Sequence, residues 1–219
     1  MLSSRYDKSL LFPVFYFFQD EKESLLTRRI IGFLVPYGGL SEIEVKPGDT
    51  VIVAPSTGRF GGGAVTMALA MGATVVACGR NEKTLNHMKE TFEKLHPGRF
   101  HTVILTGDVE VDTKAMVAAS SNKGKGADAY IDFSPDVAAK DGTPSYIQSA
   151  LGALRPRGRA AFMGGIFGKV EIPYFPIVLK SLRIQGRFMY EREMVVQVCL
   201  YFMTFGAWWI RRELLIVGY

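Results

Sequence analysis

Four glycines lie close together where an apolar run gives way to a helix-like segment. They are Gly58, Gly61, Gly62 and Gly63. Small residues at such a junction let the backbone approach a pyrophosphate, whose oxygens then face the amides at the helix N-terminus. Gly58 and Gly61 supply the second and third glycines of a dinucleotide fingerprint, whereas Ser56 stands at the position of the first. The spacing predicts a dinucleotide site, with a glycine-rich turn that holds no ligand as the alternative. The predicted contacts are Thr57, Gly58, Arg59, Phe60 and Gly61.

The residues after the next apolar run bear on which dinucleotide would bind. They are Cys78-Gly79-Arg80-Asn81, and the first carboxylate comes only at Glu82. An NAD site places Asp or Glu here to hold the ribose 2′-hydroxyl. Without that negative charge a 2′-phosphate is not repelled, and a guanidinium at residue 80 can pair with it bidentately. The sequence therefore predicts NADP(H) at Gly79, Arg80 and Asn81, with a solvated helix-start charge as the alternative role of Arg80.

Short apolar runs alternate with helix-period segments between residues 45 and 193. The predicted strands cover residues 50–54, 74–78, 102–106, 127–132, 159–163 and 182–188. Helices are predicted at residues 62–71, 112–121 and 145–154, and another between the cap Asn81 and Pro97. Continuous apolar strands separated by helices indicate a parallel sheet covered on both faces. The predicted fold class is α/β, a Rossmann-type doubly wound parallel sheet of about six strands.

Both ends of the chain depart from this pattern. Residues 1–32 contain the run LFPVFYFF and are predicted to form an irregular extension. A secretory signal is disfavoured because Asp7 interrupts the basic segment and no small-residue cleavage site follows. Residues 194–219 form an atypical apolar tail, in which residues 194–210 carry no charge. That uncharged stretch is shorter than the ~20 residues of a spanning helix, so a buried or partner-seeking helix is favoured over a membrane span.

Composition excludes several classes of protein. With 219 residues, 48% apolar and 21% charged, the chain is neither disordered nor a disulfide scaffold. The net charge is +5, and the sequence contains no run of five like charges, which disfavours a nucleic-acid partner. Two distant cysteines, Cys78 and Cys199, indicate a reducing compartment, the cytoplasm. The histidines at 87, 96 and 101 lack ligand spacing, so no metal site is predicted, and His96 and His101 are expected to be solvated.

Several motifs occur together in a fixed order. They are Val45-Lys-Pro-Gly-Asp-Thr-Val-Ile-Val53, the turn of Gly58 and Gly61, Met71-Gly-Ala73, Gly126-Ala-Asp-Ala-Tyr-Ile-Asp132 and Ile184-Gln-Gly-Arg-Phe188. In combination they resemble the medium-chain alcohol dehydrogenase/quinone reductase superfamily. The resemblance covers residues 33–193 and implies one dinucleotide-binding Rossmann domain.

The resemblance also implies which further residues approach the cofactor. Gly164, Gly165 and Ile166, together with the stretch from Gly186 to Phe188, would reach toward the nicotinamide. Asp108 would meet the adenine end, with a plain turn carboxylate as the alternative. The implied activity is hydride transfer between NADP(H) and an alcohol or carbonyl substrate, of a zinc-independent type.

The chain departs from that family in several respects. Nothing before Phe33 resembles the family's catalytic domain, and no cysteine precedes Cys78 to act as its usual metal ligand. No Tyr-x-x-x-Lys occurs, which disfavours the short-chain class, and no catalytic acid, base or nucleophile is assigned. The changes at both edges favour a truncated or mis-spliced product, so the alternative function is a nucleotide-binding module without turnover. Self-association is also expected, because an exposed apolar tail promotes it.

Overall fold

Strands and helices alternate along the part of the chain that is described. The structure, a computed structural model, describes the backbone of residues 21–120, 124–140 and 142–205, and the side chains of residues 30–201 within those ranges. The strands are β1 Thr50–Ala54, β2 Thr74–Gly79, β3 Phe100–Ile104, β4 Ala127–Asp132, β5 Leu154–Phe162 and β6 Arg183–Gly186. The helices are α1 Glu21–Glu42, α2 Arg59–Ala70, α3 Glu82–Leu95, α4 Val109–Ala119, α5 Ser145–Ala153, α6 Tyr174–Lys180 and α7 Arg192–Phe205. A single 3-10 turn, Asp136–Ala139, follows β4 among these residues.

The six strands form one parallel sheet in the order β3-β2-β1-β4-β5-β6. Val51 of β1 lies opposite Val75 of β2 on one side and opposite Ala129 of β4 on the other. The direction of strand addition therefore reverses between β1 and β4. The predicted Rossmann-type, doubly wound sheet is confirmed. In this topology ligands bind in the crevice beyond the carboxyl ends of the two strands at the reversal.

The hydrophobic core consists of one cluster on each face of the sheet. Successive side chains of a strand point to opposite faces. Accordingly Val51 and Val53 of β1 pack with residues of α1, α2, α3 and α7, while Ile52 and Ala54 pack with residues of α4 and α5. All four of these side chains are fully buried. Two-sided burial explains why the strands are continuous apolar runs rather than alternating ones.

Several element boundaries differ from those that the sequence predicts. β3 ends at Ile104 rather than at residue 106, because the amide and hydroxyl of Thr106 both donate to Asp112 instead of continuing the strand. Helix α2 begins at Arg59, three residues before the predicted start at Gly62. β5 begins at Leu154, where one pair with Ala127 precedes a shift in register.

Helices occupy the described parts of both extensions. α1 runs from Glu21, so part of the stretch predicted as irregular is helical, and a Cβ on Gly63 of α2 would collide with the Gly32 carbonyl. α7 continues from Arg192 to Phe205. No helix in the described ranges is both long and apolar enough to cross a bilayer. The signal-peptide question concerns residues 1–20, and residues 206–210 complete the uncharged stretch; both segments lie outside the described residues.

His96 is not solvated as the sequence predicts. It ends α3 and is half-buried, and its Nδ1 lies 2.7 Å from Nη2 of Arg99. Burial, and then the positive charge of Arg99, lowers the pKa of His96 from its usual value to about 4. Arg99 also donates to the carbonyls of Leu69 and Ala73, at 3.1 and 3.2 Å. This arginine therefore joins the end of α3 to the end of α2.

Candidate functional site

The turn between β1 and α2 is tied to β2 and packed tightly under α2. Both the amide and the hydroxyl of Ser56 donate to the carbonyl of Cys78, at 2.8 and 2.9 Å. A Cβ on Gly61 would collide with the carbonyl oxygen of Pro55 and would lie 2.8 Å from the Cα of Ser56. Only glycine fits at residue 61 without a shift of backbone. The glycine therefore brings the start of α2 directly over the turn, as a phosphate cradle requires.

The start of α2 offers backbone amides to the crevice. The first amides of a helix lack partners within the helix, and Gly58, which precedes it, provides no side-chain cap. Gly58, Arg59 and Phe60 are exposed, and Thr57 is half-exposed. The exposed amides and the positive end of the helix dipole together make this end suited to an anion.

The end of β2 lies beside this turn. A Cβ on Gly79 would lie 2.7 Å from Cγ2 of Thr57, so the glycine allows the two segments to approach. Arg80 follows and is exposed, and none of the ion pairs found among the described residues uses it. Asn81 caps α3, because its side chain accepts from the amide of Thr84 at 3.0 Å. The structure thus brings Gly79 and Arg80 to the predicted phosphate turn and gives Asn81 a structural role.

Asp108 sits at the start of α4, beyond the end of β3. Its side chain is exposed and accepts from the amide of Val111 at 2.9 Å, so it caps the helix. The loop before it is held by Asp112, which is fully buried and accepts from the amides of Thr106 and Gly107. The contact of Asp108 with adenine remains a prediction, because its position fits the alternative turn role equally well.

A buried polar network lies where β4 and β5 end. Asp132, only 4% exposed, accepts from Tyr130 and from the amide of Ser134, each at 3.2 Å, and from the hydroxyl of Ser134. The hydroxyl of Tyr146 on α5 lies 2.8 Å from that of Ser134. Burial raises the pKa of Asp132, while its hydrogen bonds from Ser134, Tyr130 and the Gly164 amide act in the opposite direction. Sequence reasoning missed these residues, although an Asp-x-Ser at the end of a strand is visible in the chain.

The turn after β5 rests on this network. The amide of Met163 donates to the carbonyl of Asp132 at 3.1 Å, and the amide of Gly165 donates to the carbonyl of Ser134 at 2.8 Å. Gly164 and Gly165 are exposed, and Ile166 is half-buried against the core. The structure therefore places the three predicted residues at the carboxyl end of β5, next to the end of β4.

Two aromatic rings meet across the strand-order reversal. Phe60 at the start of α2 stacks on Phe133, which follows β4, with ring centroids 6.0 Å apart and planes at 22°. The guanidinium of Arg59 lies 5.8 Å from the Phe60 ring. Phe60 was predicted at the site; Phe133 was not, since only the pairing of β1 with β4 brings it close.

Large apolar side chains are exposed along the edge formed by β5, α6 and β6. We call this set the apolar edge: Phe167, Tyr174, Phe175, Leu179 and Phe188. Phe167 and Phe188 are the most exposed, at 93% and 81%. Of the predicted stretch at the end of β6, the amide of Arg187 donates to the carbonyl of Phe162 at 3.0 Å, while Phe188 points into solvent.

No metal centre is found in the described residues, where three or more His, Cys, Asp or Glu side chains nowhere gather as a ligand group. We assign no zinc ligand to this part of the chain. We assign no catalytic acid, base or nucleophile among the described residues.

The sequence matches one family model. The model, described as zinc-binding dehydrogenase, matches residues 60–203, about two thirds of the chain. The match begins in the first turn of α2 and ends within α7, so it includes five of the six strands. No curated protein matches the sequence.

Solved structures share the fold. AibC superposes with a TM-score of 0.64 at 19% identity, covering 81% of this chain and 45% of AibC. The 2R,3R-butanediol dehydrogenase from Bacillus subtilis gives 0.61 at 18% identity, covering 81% of this chain and 46% of the enzyme. The nucleotide-binding subdomain of the enoylreductase domain of PpsC from Mycobacterium tuberculosis gives 0.53 at 17% identity, covering 80% and 88%. The chain thus spans less than half of AibC and of the butanediol dehydrogenase, but most of the PpsC subdomain.

Proposed function

Because this chain belongs to the zinc-binding dehydrogenase family, in the medium-chain dehydrogenase/reductase superfamily, we propose that it binds NADP(H) and serves as the cofactor half of an oxidoreductase. A nicotinamide nucleotide is the cofactor that membership of this family implies. The proposed reaction is hydride transfer between NADP(H) and a small alcohol or carbonyl compound. The site lies across the carboxyl ends of β1, β2, β4 and β5.

The glycine turn between β1 and α2 carries this proposal. Gly61 allows α2 to start directly over the turn, and Gly79 allows the end of β2 to approach Thr57. The exposed amides of Gly58, Arg59 and Phe60 would hold the pyrophosphate. This arrangement lies at the strand-order reversal, which is where an open α/β sheet binds its ligand.

Arg80 supports NADP(H) over NAD(H). It is exposed at the end of β2, and the exposed residues beside it carry no carboxylate until Glu82, in the first turn of α3. A guanidinium can hold a phosphate through two parallel, charge-assisted hydrogen bonds. A neutral ribose hydroxyl cannot accept such a pair. We propose that Arg80 binds the 2′-phosphate.

The cofactor, once bound, would supply the hydride chemistry, and the protein would supply orientation and exclusion of water. The turn of Gly164 and Gly165 and the side chain of Ile166 would support the nicotinamide half. The alternative is a nucleotide-binding module without turnover. The chain spans less than half of the butanediol dehydrogenase whose fold it shares.

A cofactor titration tests the binding proposal. We expect Arg80→Glu to weaken NADPH binding by at least about tenfold, since a charge-assisted pair becomes a repulsive one, and NADH binding by about twofold or less. Lys83→Glu is the matched control, because it makes the same charge change at an exposed position three residues away. Equal weakening of both cofactors by Arg80→Glu would contradict the assignment of Arg80, and a wild-type chain that binds neither cofactor would refute the proposed function.

Turnover separates the two functional alternatives. The wild-type chain is incubated with NADPH and a panel of ketones and aldehydes, and with NADP⁺ and the matching alcohols, while absorbance at the nicotinamide band is followed. Oxidation or reduction of the cofactor supports the oxidoreductase. Binding of NADPH without turnover on any member of the panel supports the module.

We also propose a cytoplasmic location. Both cysteines are free thiols, with Cys78 buried and Cys199 exposed, as expected of a reducing compartment. Fractionation of expressing cells, followed by detection of the chain with a tag, tests this proposal.

A further inference from the structure

The carboxylate of Asp132 lies between two strands at the crevice, with hydrogen-bond donors around one of its oxygens and Gly164 beside the other. Oδ1 accepts from the Ser134 amide and from the hydroxyls of Tyr130 and Ser134. Oδ2 faces Gly164, where an added Cβ would lie 2.5 Å from it. A carboxylate, which only accepts hydrogen bonds, suits these three donors.

Backbone hydrogen bonds from the turn after β5 to the end of β4 fix the shape of that turn. The amide of Met163 donates to the carbonyl of Asp132 at 3.1 Å. The amide of Gly165 donates to the carbonyl of Ser134 at 2.8 Å. Two amides of the turn are therefore held by carbonyls at the end of β4. The side chain of Asp132 in turn holds Ser134, which supplies one of those carbonyls.

A chain of hydroxyl groups extends from this carboxylate. The Ser134 hydroxyl donates to Asp132, and the hydroxyl of Tyr146 on α5 lies 2.8 Å from that of Ser134. Burial raises the pKa of Tyr146, while its hydrogen bond with Ser134 and the positive charge of Arg80 act in the opposite direction. The contacts thus run from Tyr146 through Ser134 to Asp132, whose Oδ2 faces Gly164 in the turn.

We propose that Asp132 is a positioning residue for the nicotinamide half of the cofactor: its carboxylate, held by Ser134 and Tyr146, fixes the turn of Gly164 and Gly165 in the shape that the bound cofactor needs. This role rests on the proposed function. Asp132 is buried and acts through the backbone of the turn rather than by touching the cofactor. This positioning role also explains why a carboxylate is buried at this point of the sheet, where its desolvation is costly.

Two probes separate positioning of one half of the cofactor from general damage. NADPH contains both halves, whereas 2′,5′-ADP contains only the half that binds at β1 and β2. We expect Asp132→Asn to weaken NADPH binding by about tenfold or more, the size of effect of losing a hydrogen bond to a charged group, and 2′,5′-ADP binding by less than about twofold. The amide oxygen of asparagine carries no charge, so the hydrogen bonds that Ser134 donates to residue 132 lose their charge assistance.

Asp128→Asn is the matched control. Asp128 lies on the same strand and is also buried, and it too accepts from a backbone amide, that of Thr50 at 2.8 Å, and from a side chain, that of Arg155. It stands at the opposite end of β4, away from the crevice. This variant removes an equally buried charge, and we expect both probes to bind it within about twofold of wild type.

Calorimetric titration of the full chain with each probe gives the result, with far-UV circular dichroism to verify folding. The positioning role is overturned if Asp132→Asn binds NADPH within twofold of wild type, or loses both probes equally. If that variant does not fold, Ser134→Ala replaces it, since it removes one donor to Asp132 and the link to Tyr146; the same NADPH-only loss is expected, and unchanged NADPH binding overturns the role. A wild-type chain that binds neither probe refutes the proposed function itself, and this role with it.

Discussion

Gly61, at the start of α2, packs directly against the carbonyl oxygen of Pro55 in the preceding turn, and this contact leaves no room for a side chain. We expect Gly61→Ala to destabilise the fold by about 1–3 kcal/mol, as overpacking of a buried position does. Gly62, one residue on in the same helix, has only the Ser56 carbonyl near its added Cβ, at 3.9 Å. Gly62→Ala should therefore raise stability by up to about 1 kcal/mol, the usual gain of alanine over glycine in a helix. Urea unfolding of both variants measures the contrast, and a destabilised Gly62→Ala would contradict it.

Two aspartates beside α4 should respond differently to the same substitution. Asp112 is fully buried and accepts from the Thr106 amide at 2.9 Å, the Thr106 hydroxyl at 2.8 Å and the Gly107 amide at 3.2 Å. Asp112→Asn turns a donor toward one of these donors and should cost about 1–3 kcal/mol. Asp108→Asn should change stability by less than about 0.5 kcal/mol, because asparagine caps a helix as well as aspartate does. Equal losses in chemical denaturation would mean that Asp112 does not hold this loop.

The contact of His96 with Arg99 predicts a pH dependence of stability. The pKa of His96 is lowered to about 4 in the folded chain, against about 6.5 for an unperturbed histidine, so only the unfolded chain takes up this proton between those values. The free energy of unfolding should thus fall as the pH is lowered from about 7 to about 4. His96→Gln keeps an acceptor for Arg99 but does not titrate, and its stability should fall less between pH 7 and pH 5. His87→Gln, at an exposed position of α3, is the control and should follow the wild type. A wild-type curve that coincides with that of His96→Gln would contradict this prediction.

The two cysteines should differ in reactivity. Cys78 is fully buried in β2, and burial raises the pKa of its thiol, whereas Cys199 on α7 is exposed. Since the thiolate is the reactive form, iodoacetamide at pH 8 should modify Cys199 alone in the folded chain. In urea both residues should react. Mass spectrometry of the digested protein locates the adducts. Alkylation of Cys78 under native conditions would contradict the buried position of β2.

The parts of the fold that depend on local pattern follow from the sequence. Each of these features depends only on a few neighbouring residues: the glycines after β1, the cap at Asn81, and the alternation of apolar runs with helical segments. The doubly wound arrangement of the sheet follows as well, because right-handed crossovers leave few alternatives for such an alternation. The end of β3 was misplaced, since the sequence does not reveal that Thr106 donates to Asp112 rather than to a neighbouring strand.

The carboxylate network at the crevice could not be predicted in the same way. Asp132 and Gly164 are separated by 31 intervening residues, and they meet only because β4 and β5 pair in one particular register, with Asp132 opposite Phe162. Phe133 and Phe60 likewise meet only through the pairing of β1 with β4. A single sequence carries the residue types of such contacts but not the distances between them.

The apolar edge has a practical consequence for measuring the stability of this chain. Dyes such as ANS fluoresce on exposed hydrophobic surface and are commonly used to detect partially unfolded states. With Phe167, Tyr174 and Phe188 exposed in the folded chain, the dye should bind before any unfolding occurs. Far-UV circular dichroism, which follows the helices and strands themselves, is the appropriate signal for each unfolding experiment described above.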